Sequence, residues 1–365
     1  MTALVFVGNF PPPVHGMAAI NQAFYDAVQG VQPRPPIRIN ISPPSLSRNF
    51  SNRARKVLRV LEGLPRFVGA AWGKQATLYM SISGGSGQLY ELLFTLLARL
   101  MACRLYLHHH SYAYLDRTSS LARLLCWAAG EQATHIVLSA GMADRLQDRY
   151  GVKKTLILSN TAFLDVHGAG SASPKQFLSH VGFLGNISEE KGIVHFLTLC
   201  RAIQAQQLPV KARIAGPFQE KQIEALVRQA LATLPNVEYV GPVYGEVKSR
   251  FFSEIDVLAF PTVYFNEAEP LTIHEALSHA VPVIAYERGT IGEVLTTECG
   301  HAIPRDQDYT SHAIDQLKQW LADSLTFQQT SLAARERFVA LRNEHQHRLG
   351  ELIAEITHTD KDQAN

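Results

Sequence analysis

The sequence predicts an α/β protein built from two doubly wound domains, each with a parallel sheet. The chain has 365 residues, which is long for one hydrophobic core and sufficient for two. Apolar strands alternate with helices in both halves, beginning with residues 4–7, a loop rich in glycine and proline, and then a helix. The alternation stops in a segment rich in glycine and serine and restarts near residue 180.

This pattern predicts four parts. Residues 1–164 form the first domain, residues 165–176 a linker, and residues 177–330 the second domain. The linker has no hydrophobic periodicity and contains Gly168, Gly170, Ser171, Ser173 and Pro174. Within the last part, residues 331–365, the stretch 331–357 has the pattern of a long polar amphipathic helix.

Composition excludes several classes of protein. The formal net charge of +2 is too small to indicate a nucleic-acid-binding protein. The four cysteines are far apart and form no CxxC pair, which argues against a metal cluster or a disulfide framework and favours a reducing, cytoplasmic compartment. No run of about 18 apolar residues occurs, so we expect no membrane span. The apolar run at residues 1–8 is too short for a signal peptide and predicts a buried strand.

The most informative stretch is residues 265–277, in which Glu267 and Glu275 stand eight positions apart. Pro270 suits the first turn of a helix, where its missing N–H group costs nothing. The N–H groups near Leu271 and Thr272 would then be available to an anion. Carboxylates beside an anion site suit a sugar diphosphate. An ordinary capped helix with solvated acidic side chains fits these residues equally well.

The same stretch resembles the E-x7-E signature of retaining glycosyltransferases of family 4, which have the GT-B fold. The family pattern is Glu, two residues, Pro-Leu, three residues and Glu-Ala. It is matched by Glu267, Pro270, Leu271, Glu275 and Ala276. Residues 255–262, 282–285 and 289–293 are similar to the strands and the turn that flank this signature in the family. The resemblance is marked over residues 180–300 and weak in the first half of the chain.

Residues 181–192 resemble a second family element, in which a strand is followed by Gly-Arg and then by Glu-Lys-Gly before a helix. In the family, the Arg and the Lys hold the donor diphosphate. Lys191 matches the Lys, whereas Asn186 stands at the Arg position and brings no charge. The resemblance therefore implies that the diphosphate is neutralised by Lys191, the helix N-terminus and another base such as Arg213 or Lys248.

The resemblance also implies an architecture and two residues of the first domain. It implies a GT-B fold with two facing Rossmann-like domains, a cleft between them, and a C-terminal helix that packs back on the first domain. The first domain, residues 1–164, would bind the acceptor, and the second, residues 177–330, the nucleotide-sugar donor. Gly16 matches a glycine of the family's first loop, which lets the backbone approach the donor phosphate or the acceptor. At the strand that ends in three histidines, His110 and then His109 are favoured as the contact to the donor sugar. A satisfied polar strand end, or a metal held by His108 and His110, is the alternative.

The function implied is transfer of a sugar, with retention, from a nucleotide-diphosphate sugar to a glycan or lipid-linked acceptor in bacterial surface polysaccharide or glycolipid synthesis. We expect no cofactor and no metal. The family mechanism is attack on the face from which the diphosphate departs, with the leaving phosphate taking the acceptor proton.

Each site residue has an expected role in this mechanism. The expected catalytic residues are His110, which orients the sugar, Lys191, which stabilises the diphosphate, and Glu267, which holds a sugar hydroxyl. The expected donor-binding residues are Gly16, Asn186, Lys191, Pro270, Leu271, Thr272 and Glu275, the last of which holds the ribose.

Two other functions stay open. Asn186, in place of arginine, supports a non-catalytic GT-B subunit that binds or serves as a scaffold. A sugar-nucleotide epimerase can share the scaffold, and it would turn over a nucleotide sugar without an acceptor.

A basic segment in the first half suggests a further partner. From Arg48 to Lys74 the chain has seven basic residues and one acid, Glu62. Between Arg53 and Arg66 the basic residues alternate with apolar ones, which is typical of a helix lying on an anionic membrane surface. This suits a lipid-linked or membrane-proximal acceptor and a peripheral location on the inner face of the cell membrane. A solvated helix face is the alternative.

Overall fold

The computed structural model describes residues 3–45, 50–164 and 173–357. The described part of the chain divides into two compact units: the first comprises residues within Met1–Phe163 and Glu344–Asn365, and the second residues within Leu164–Asn343. Most of the predicted linker, residues 165–172, lies outside the described residues. The predicted class is confirmed, because each unit contains a six-stranded parallel sheet with helices between its strands.

The sheet of the first unit has the strand order β2-β1-β3-β4-β5-β6. Its strands are β1 (Ala3–Gly8), β2 (Ile37–Asn40), β3 (Ala76–Ile82), β4 (Arg104–His109), β5 (Thr134–Val137) and β6 (Thr155–Ile157). Every neighbouring pair is parallel. Buried strands of this kind have continuous apolar runs, and all seven residues of β3 are buried.

Helices connect these strands. They are α1 (Gly16–Val31), α2 (Phe50–Ala71), α3 (Gln88–Leu100), α4 (Ala113–Asp116), α5 (Ser120–Ala129) and α6 (Ala140–Tyr150). Since β2 and β3 lie on opposite sides of β1, right-handed crossovers put α1 on one face of the sheet and α2 and α3 on the other. The strand order therefore reverses between β1 and β3, and crevices at such reversals are where doubly wound sheets bind ligands.

The sheet of the second unit has the strand order β12-β11-β10-β7-β8-β9. Its strands are β7 (His180–Leu184), β8 (Lys211–Ala215), β9 (Val237–Gly241), β10 (Val257–Phe260), β11 (Val283–Tyr286) and β12 (Gly300–Ile303). All neighbours are again parallel. Here the strand order reverses between β7 and β10.

The helices of the second unit cover both faces of its sheet, over two hydrophobic clusters. They are α7 (Ile193–Ala205), α8 (Lys221–Leu231), α9 (Gly245–Glu254), α10 (Leu271–Ser278), α11 (Ile291–Val294), α12 (Tyr309–Ala322) and the first part of α13 (Ser324–Thr357). From Glu344 onward, α13 belongs to the first unit. There Leu349, Leu352 and Ile356 pack with Phe6 and Phe24.

The structure differs from the sequence prediction in several elements. β2 and β12 were not predicted, because each is only four residues long and its burial is incomplete. The long helix begins at Ser324 rather than at residue 331. Asp323 caps it, since its Oδ1 accepts from the N–H groups of Leu325 at 3.0 Å and Thr326 at 3.1 Å.

Candidate functional site

The main candidate site lies where the strand order of the second sheet reverses. The loops that follow β7 and β10 meet there, and Lys191 of the first loop forms an ion pair with Glu267 of the second, with Nζ and Oε2 2.5 Å apart. Thr262 donates a hydrogen bond of 3.0 Å to the same carboxylate oxygen. The Glu267 side chain is 9% exposed and that of Lys191 is 24% exposed, so water screens this pair only in part.

Gly192 allows the two loops to approach each other. Its φ of +87° is unfavourable for other residues, and a Cβ atom there would lie 2.0 Å from the carbonyl oxygen of Pro261. The Val263 N–H group donates to the Glu190 carbonyl at 2.9 Å, which fixes the contact from the other side. The glycine of the Glu-Lys-Gly sequence thus has a steric role, because it brings Lys191 to Glu267.

Helix α10 begins between the two carboxylates of the E-x7-E stretch, so that Glu267 precedes the helix and Glu275 lies on it. Pro270 immediately precedes the helix, and Leu271 and Thr272 are its first residues. The N–H groups of a first helical turn have no acceptor within the helix, so this end can receive an anion. On the helix, Glu275 Oε1 pairs with Lys248 Nζ of α9 at 2.5 Å. Its Oε2 is buried and has no hydrogen-bond partner in the described part of the chain.

A loop after β11 supports the segment that carries Glu267. Arg288 donates to the carbonyl of Phe265, and its guanidinium carbon lies 5.3 Å from the centre of that ring. Gly289 has a φ of +59°, and a Cβ atom there would lie 2.0 Å from the carbonyl oxygen of Ala268. The Thr290 N–H group donates to the same carbonyl at 2.8 Å. Sequence reasoning did not find Arg288 or Thr290, since their partners lie more than 20 positions away.

The two bases suggested as substitutes for the missing arginine have different surroundings. Lys248 lies at the site, beside Glu275. Arg213 pairs instead with Glu238, at 3.1 Å, and with Glu254. Asn186 follows β7 in a bend and is half-buried. The structure therefore pairs Lys191 with Glu267 before α10 and Lys248 with Glu275 on α10. It gives Arg213 other partners.

The remaining predicted residues lie in the first unit. Gly16 is the first residue of α1, and a Cβ atom there would meet nothing within 4 Å. His110 follows β4, where its N–H group donates to the Ile82 carbonyl at 3.0 Å. Burial, with a smaller contribution from the charge of His15, lowers the pKa of His110 to about 3, so the ring is neutral at physiological pH.

The other two histidines have different surroundings. His108 lies on the same side of β4 as His110, with ring centres 4.0 Å apart, and its Nδ1 bonds to the hydroxyl of Tyr79. His109 points to the opposite side, where its ring nitrogens bond to Tyr114 at 2.6 Å and to His135 at 2.9 Å. Among the described residues, no group of three or more His, Cys, Asp or Glu side chains could hold a metal ion.

The segment that contains the two Lys–Glu pairs is similar to a known protein family, and the whole fold is similar to solved structures. Residues 179–323, less than half of the chain, match the family described as glycosyl transferases group 1. Sucrose-phosphate synthase from Thermosynechococcus elongatus is similar over 97% of this chain and 99% of its own, with a TM-score of 0.73 and 16% identity. The fold is GT-B.

Further solved structures share this GT-B fold. WaaG, a glycosyltransferase involved in lipopolysaccharide biosynthesis, is similar over 98% of this chain and 100% of its own, with a TM-score of 0.62 and 13% identity. A variant of S. aureus TarM, in complex with fondaparinux, α-GlcNAc-glycerol and UDP, is similar over 76% of this chain, with a TM-score of 0.59 and 16% identity. The chain spans 55% of the length of that TarM. No protein of curated function matches the sequence.

These findings confirm the predicted resemblance at the level of the group 1 glycosyl transferases, for the segment that carries the two Lys–Glu pairs. Membership of the retaining family 4 stays a prediction, as do the individual roles of the site residues. Within the described ranges, no helix combines the length and the apolarity that crossing a bilayer requires.

Proposed function

We propose that this protein is a retaining glycosyltransferase that moves a sugar from a nucleotide-diphosphate sugar to a glycan or lipid-linked acceptor. The observation that carries the proposal is the Lys191–Glu267 pair, which lies where the strand order of the second sheet reverses and within the segment similar to group 1 glycosyl transferases. Doubly wound sheets bind nucleotides at such reversals. A buried ion pair is seldom a stabilising device, which favours a functional reason for it.

The donor would lie along the first turn of α10. Lys191 and the N–H groups that follow Pro270, at Leu271 and Thr272, would hold the diphosphate, with Asn186 donating a neutral hydrogen bond. The unpartnered Oε2 of Glu275 would accept a hydrogen bond from the nucleotide ribose. Glu267 would hold a hydroxyl of the donor sugar. Gly16 and His110 belong to the other unit, and their contacts with the donor stay predictions.

The proposed chemistry needs little from the protein beyond positioning and charge. Negative charge develops on the diphosphate as the sugar leaves, and a lysine and oriented N–H groups stabilise that charge without reorganisation. The leaving phosphate would take the acceptor proton on the same face, which gives retention. Lys191 and the helix N-terminus supply the positive charge, so the proposed reaction is independent of a metal ion.

A nucleotide screen tests the proposal. We expect one of UDP, GDP, ADP or their common sugars to raise the melting temperature of the wild-type protein, and Lys191→Ala and Glu275→Ala to abolish that increase. Transfer to an acceptor, followed by NMR of the new linkage, should show the anomeric configuration of the donor. Inversion would refute the retaining mechanism, and the absence of binding by every nucleotide would refute a donor site.

Asn186 favours a second candidate, a non-catalytic GT-B subunit, because the charge that the resembling family provides at that position is missing. The two candidates differ in turnover. A transferase should hydrolyse or transfer its donor sugar slowly even with a poor acceptor, whereas a binding subunit should hold the nucleotide without turnover. Activity that appears only after Asn186→Arg would favour the subunit. An epimerase would instead convert the nucleotide sugar in the absence of any acceptor.

The acceptor is proposed to be near a membrane, in the synthesis of a bacterial surface polysaccharide or glycolipid, on the cytoplasmic side. The support is α2, whose buried residues include Val60 and Phe67 while Phe50, Leu58 and Leu61 are exposed. Phe50 is 86% exposed and each of the two leucines is 57% exposed. Exposed apolar side chains flanked by arginines are typical of helices that lie on anionic lipid.

A further inference from the structure

The first unit has a second polar cluster, where the strand order of its own sheet reverses between β1 and β3. Glu91 of α3 is 3% exposed there. Its Oε1 accepts hydrogen bonds from the N–H group of Ser83 at 2.9 Å and from the Ser83 hydroxyl at 2.5 Å. Its Oε2 is buried and has no hydrogen-bond partner in the part of the chain that the structure describes. A buried carboxylate oxygen without a donor is costly, so its presence requires a reason.

Two further buried polar atoms lack partners among the described residues, and they belong to residues on the elements that carry Glu91 and Ser83 or adjoin them. Gln88 lies one turn before Glu91 on α3, is 1% exposed and leaves its Nε2 without an acceptor. His110 follows β4 beside the end of β3, since its N–H group bonds to Ile82, and its Nε2 is unpartnered as well. These three atoms are an acceptor, a donor and an imidazole nitrogen, and each is of a kind that hydrogen-bonds to hydroxyl groups.

Lys56 and His15 are titratable side chains that interact with residues of this cluster. Lys56 of α2 lies against Tyr90, the residue before Glu91, with its Nζ 5.5 Å from the centre of that ring. Its charge opposes the increase that burial causes in the pKa of Glu91. Burial, and then the charge of Lys56, lower the pKa of His15 in the loop after β1, and burial, and then the charge of His15, lower that of His110. Above pH 7, where Glu91 is ionised and both histidines are neutral, the cluster contains one lysine and one carboxylate.

We propose that this cluster binds a neutral sugar group of the acceptor, with Oε2 of Glu91 accepting a hydrogen bond from one of its hydroxyls. The inference rests on the proposed function, because it names the group that the first unit would hold. A phosphate or carboxylate is disfavoured, since the buried carboxylate would repel it and Lys56 alone only balances that carboxylate. Glu91 is therefore an acceptor-binding residue, separate from the residues around α10.

The test is a titration followed by ligand-observed NMR, with methyl β-glucopyranoside, methyl β-galactopyranoside, methyl N-acetyl-β-glucosaminide and inorganic phosphate as probes. The variant is Glu91→Gln, which keeps the shape and the Ser83 contacts but replaces the unpartnered oxygen with an NH₂ group. The matched control is Glu62→Gln, on the exposed side of α2. Thermal unfolding of both variants checks that each of them folds.

We expect at least one glycoside to bind the wild type with a dissociation constant on the order of millimolar. Glu91→Gln should weaken it about tenfold, because hydrogen bonds to a charged group are the stronger kind, and Glu62→Gln should leave it unchanged. Phosphate should not bind at this cluster, so Lys56→Met should leave any phosphate binding at the proposed donor site unchanged. Equal glycoside affinity in wild type and Glu91→Gln, binding of phosphate through Lys56, or no binding of any glycoside would each overturn the proposal.

A pH series separates a binding role from a structural one. The groups that face Glu91 are Ser83, Lys56, Tyr114 of α4 and, through Lys56, His15. Burial raises the pKa of Glu91 to about 7 and lowers that of His15 below its usual value, so Glu91 is the member that ionises between pH 6 and 8. Glycoside affinity should rise over that range in the wild type and stay flat in Glu91→Gln.

The same samples distinguish this inference from the proposed function. Glu91→Gln should retain the nucleotide affinity of the wild type, because Glu91 lies in the first unit and the proposed donor residues on α10 in the second. Loss of glycoside binding in Glu91→Gln with retained nucleotide binding supports both the role of Glu91 and the donor site. Nucleotide binding with unchanged glycoside binding refutes only the role of Glu91, whereas the absence of nucleotide binding in the wild type refutes the donor site.

Discussion

Lys191 and Glu267 form an ion pair of 2.5 Å between two loops that are 76 positions apart in the sequence. A similar pair joins Lys248 of α9 to Glu275 of α10, the helix that follows Glu267. Each carboxylate of the E-x7-E stretch is therefore balanced by a lysine. A donor diphosphate would compete with these carboxylates for the lysines, so its binding should be sensitive to each member of both pairs.

Replacement of Lys248 by methionine should weaken the binding of UDP about tenfold, provided that UDP is the selected nucleotide. The variant leaves the carboxylate of Glu275 without its partner, and that charge would then repel the diphosphate. Arg213→Met is the matched control, because Arg213 pairs with Glu238 and Glu254. Calorimetric titration measures both. Similar losses in the two variants would show a general charge effect instead of a local one.

Gly192→Ala should destabilise the protein by about 3 kcal/mol, because the new Cβ atom would lie 2.0 Å from the Pro261 carbonyl at a φ of +87°. It should also reduce nucleotide binding, since it moves Lys191 relative to Glu267. Gly350→Ala, in α13, is the control: a Cβ atom there meets nothing, and a helical alanine should stabilise by about 0.5–1 kcal/mol. Denaturant unfolding measures both. Equal midpoints for Gly192→Ala and wild type would contradict the steric argument.

Acid should destabilise the protein through its buried histidines. Burial lowers the pKa of His135 to about 4, so the unfolded state takes up a proton first as the pH falls below 6.5. The stabilising contribution of neutral His135 is complete above pH 6.5 and should fall by about 3 kcal/mol as the pH reaches 4. His135→Gln lacks this pH dependence. The difference in the free energy of unfolding between wild type and His135→Gln should therefore shrink as the pH falls from 6.5 to 4.

Urea unfolding at several pH values measures this difference. His347→Gln is the control, because His347 is exposed on α13. Parallel pH profiles for wild type and His135→Gln would mean that His135 does not titrate as its burial implies.

The contribution of Glu91 to stability should depend on pH in the opposite direction from that of His135. Burial raises its pKa to about 7, so the folded state retains a proton that the unfolded state releases near pH 4.5. The stability of the wild type relative to Glu91→Gln should therefore fall by about 3 kcal/mol as the pH rises from 4.5 to 7. Thermal unfolding across this range, with Glu62→Gln as the control, tests the sign. A gain for the wild type over the same interval would show that the carboxylate is stabilised in its charged form.

Helix α2 should bring the protein to anionic vesicles. We expect sedimentation with phosphatidylglycerol-containing vesicles, release by high salt, and weaker recovery of the double variant Leu58→Gln, Leu61→Gln, because both leucines are 57% exposed between basic side chains. Leu325→Gln, an exposed leucine of α13 in the second unit, is the control. Equal recovery with neutral phosphatidylcholine vesicles would contradict the electrostatic part of this proposal.

Much of the fold could be predicted from local sequence. Continuous apolar runs such as β10 and β11 are typical of buried parallel strands, and the alternation of strand, loop and helix repeats in both halves. β2 and β12 could not be predicted in this way, because a four-residue strand with partial burial has too few residues to show a pattern. The start of α13 depended on one capping residue, Asp323, which a search for hydrophobic periodicity does not detect.

The sequence by itself determined the fold class and the stretch that contains Glu267, Glu275 and Lys191, because hydrophobic periodicity and motif spacing are local properties of the chain. Only the tertiary structure decided which charges meet. It paired Lys248 with Glu275 and gave Arg213 to two other carboxylates. It also brought Ser83 and Glu91 together at the first sheet. The physical reason is that strand order decides which loops share an edge, and the order of strands along a sheet is not a local property of the sequence.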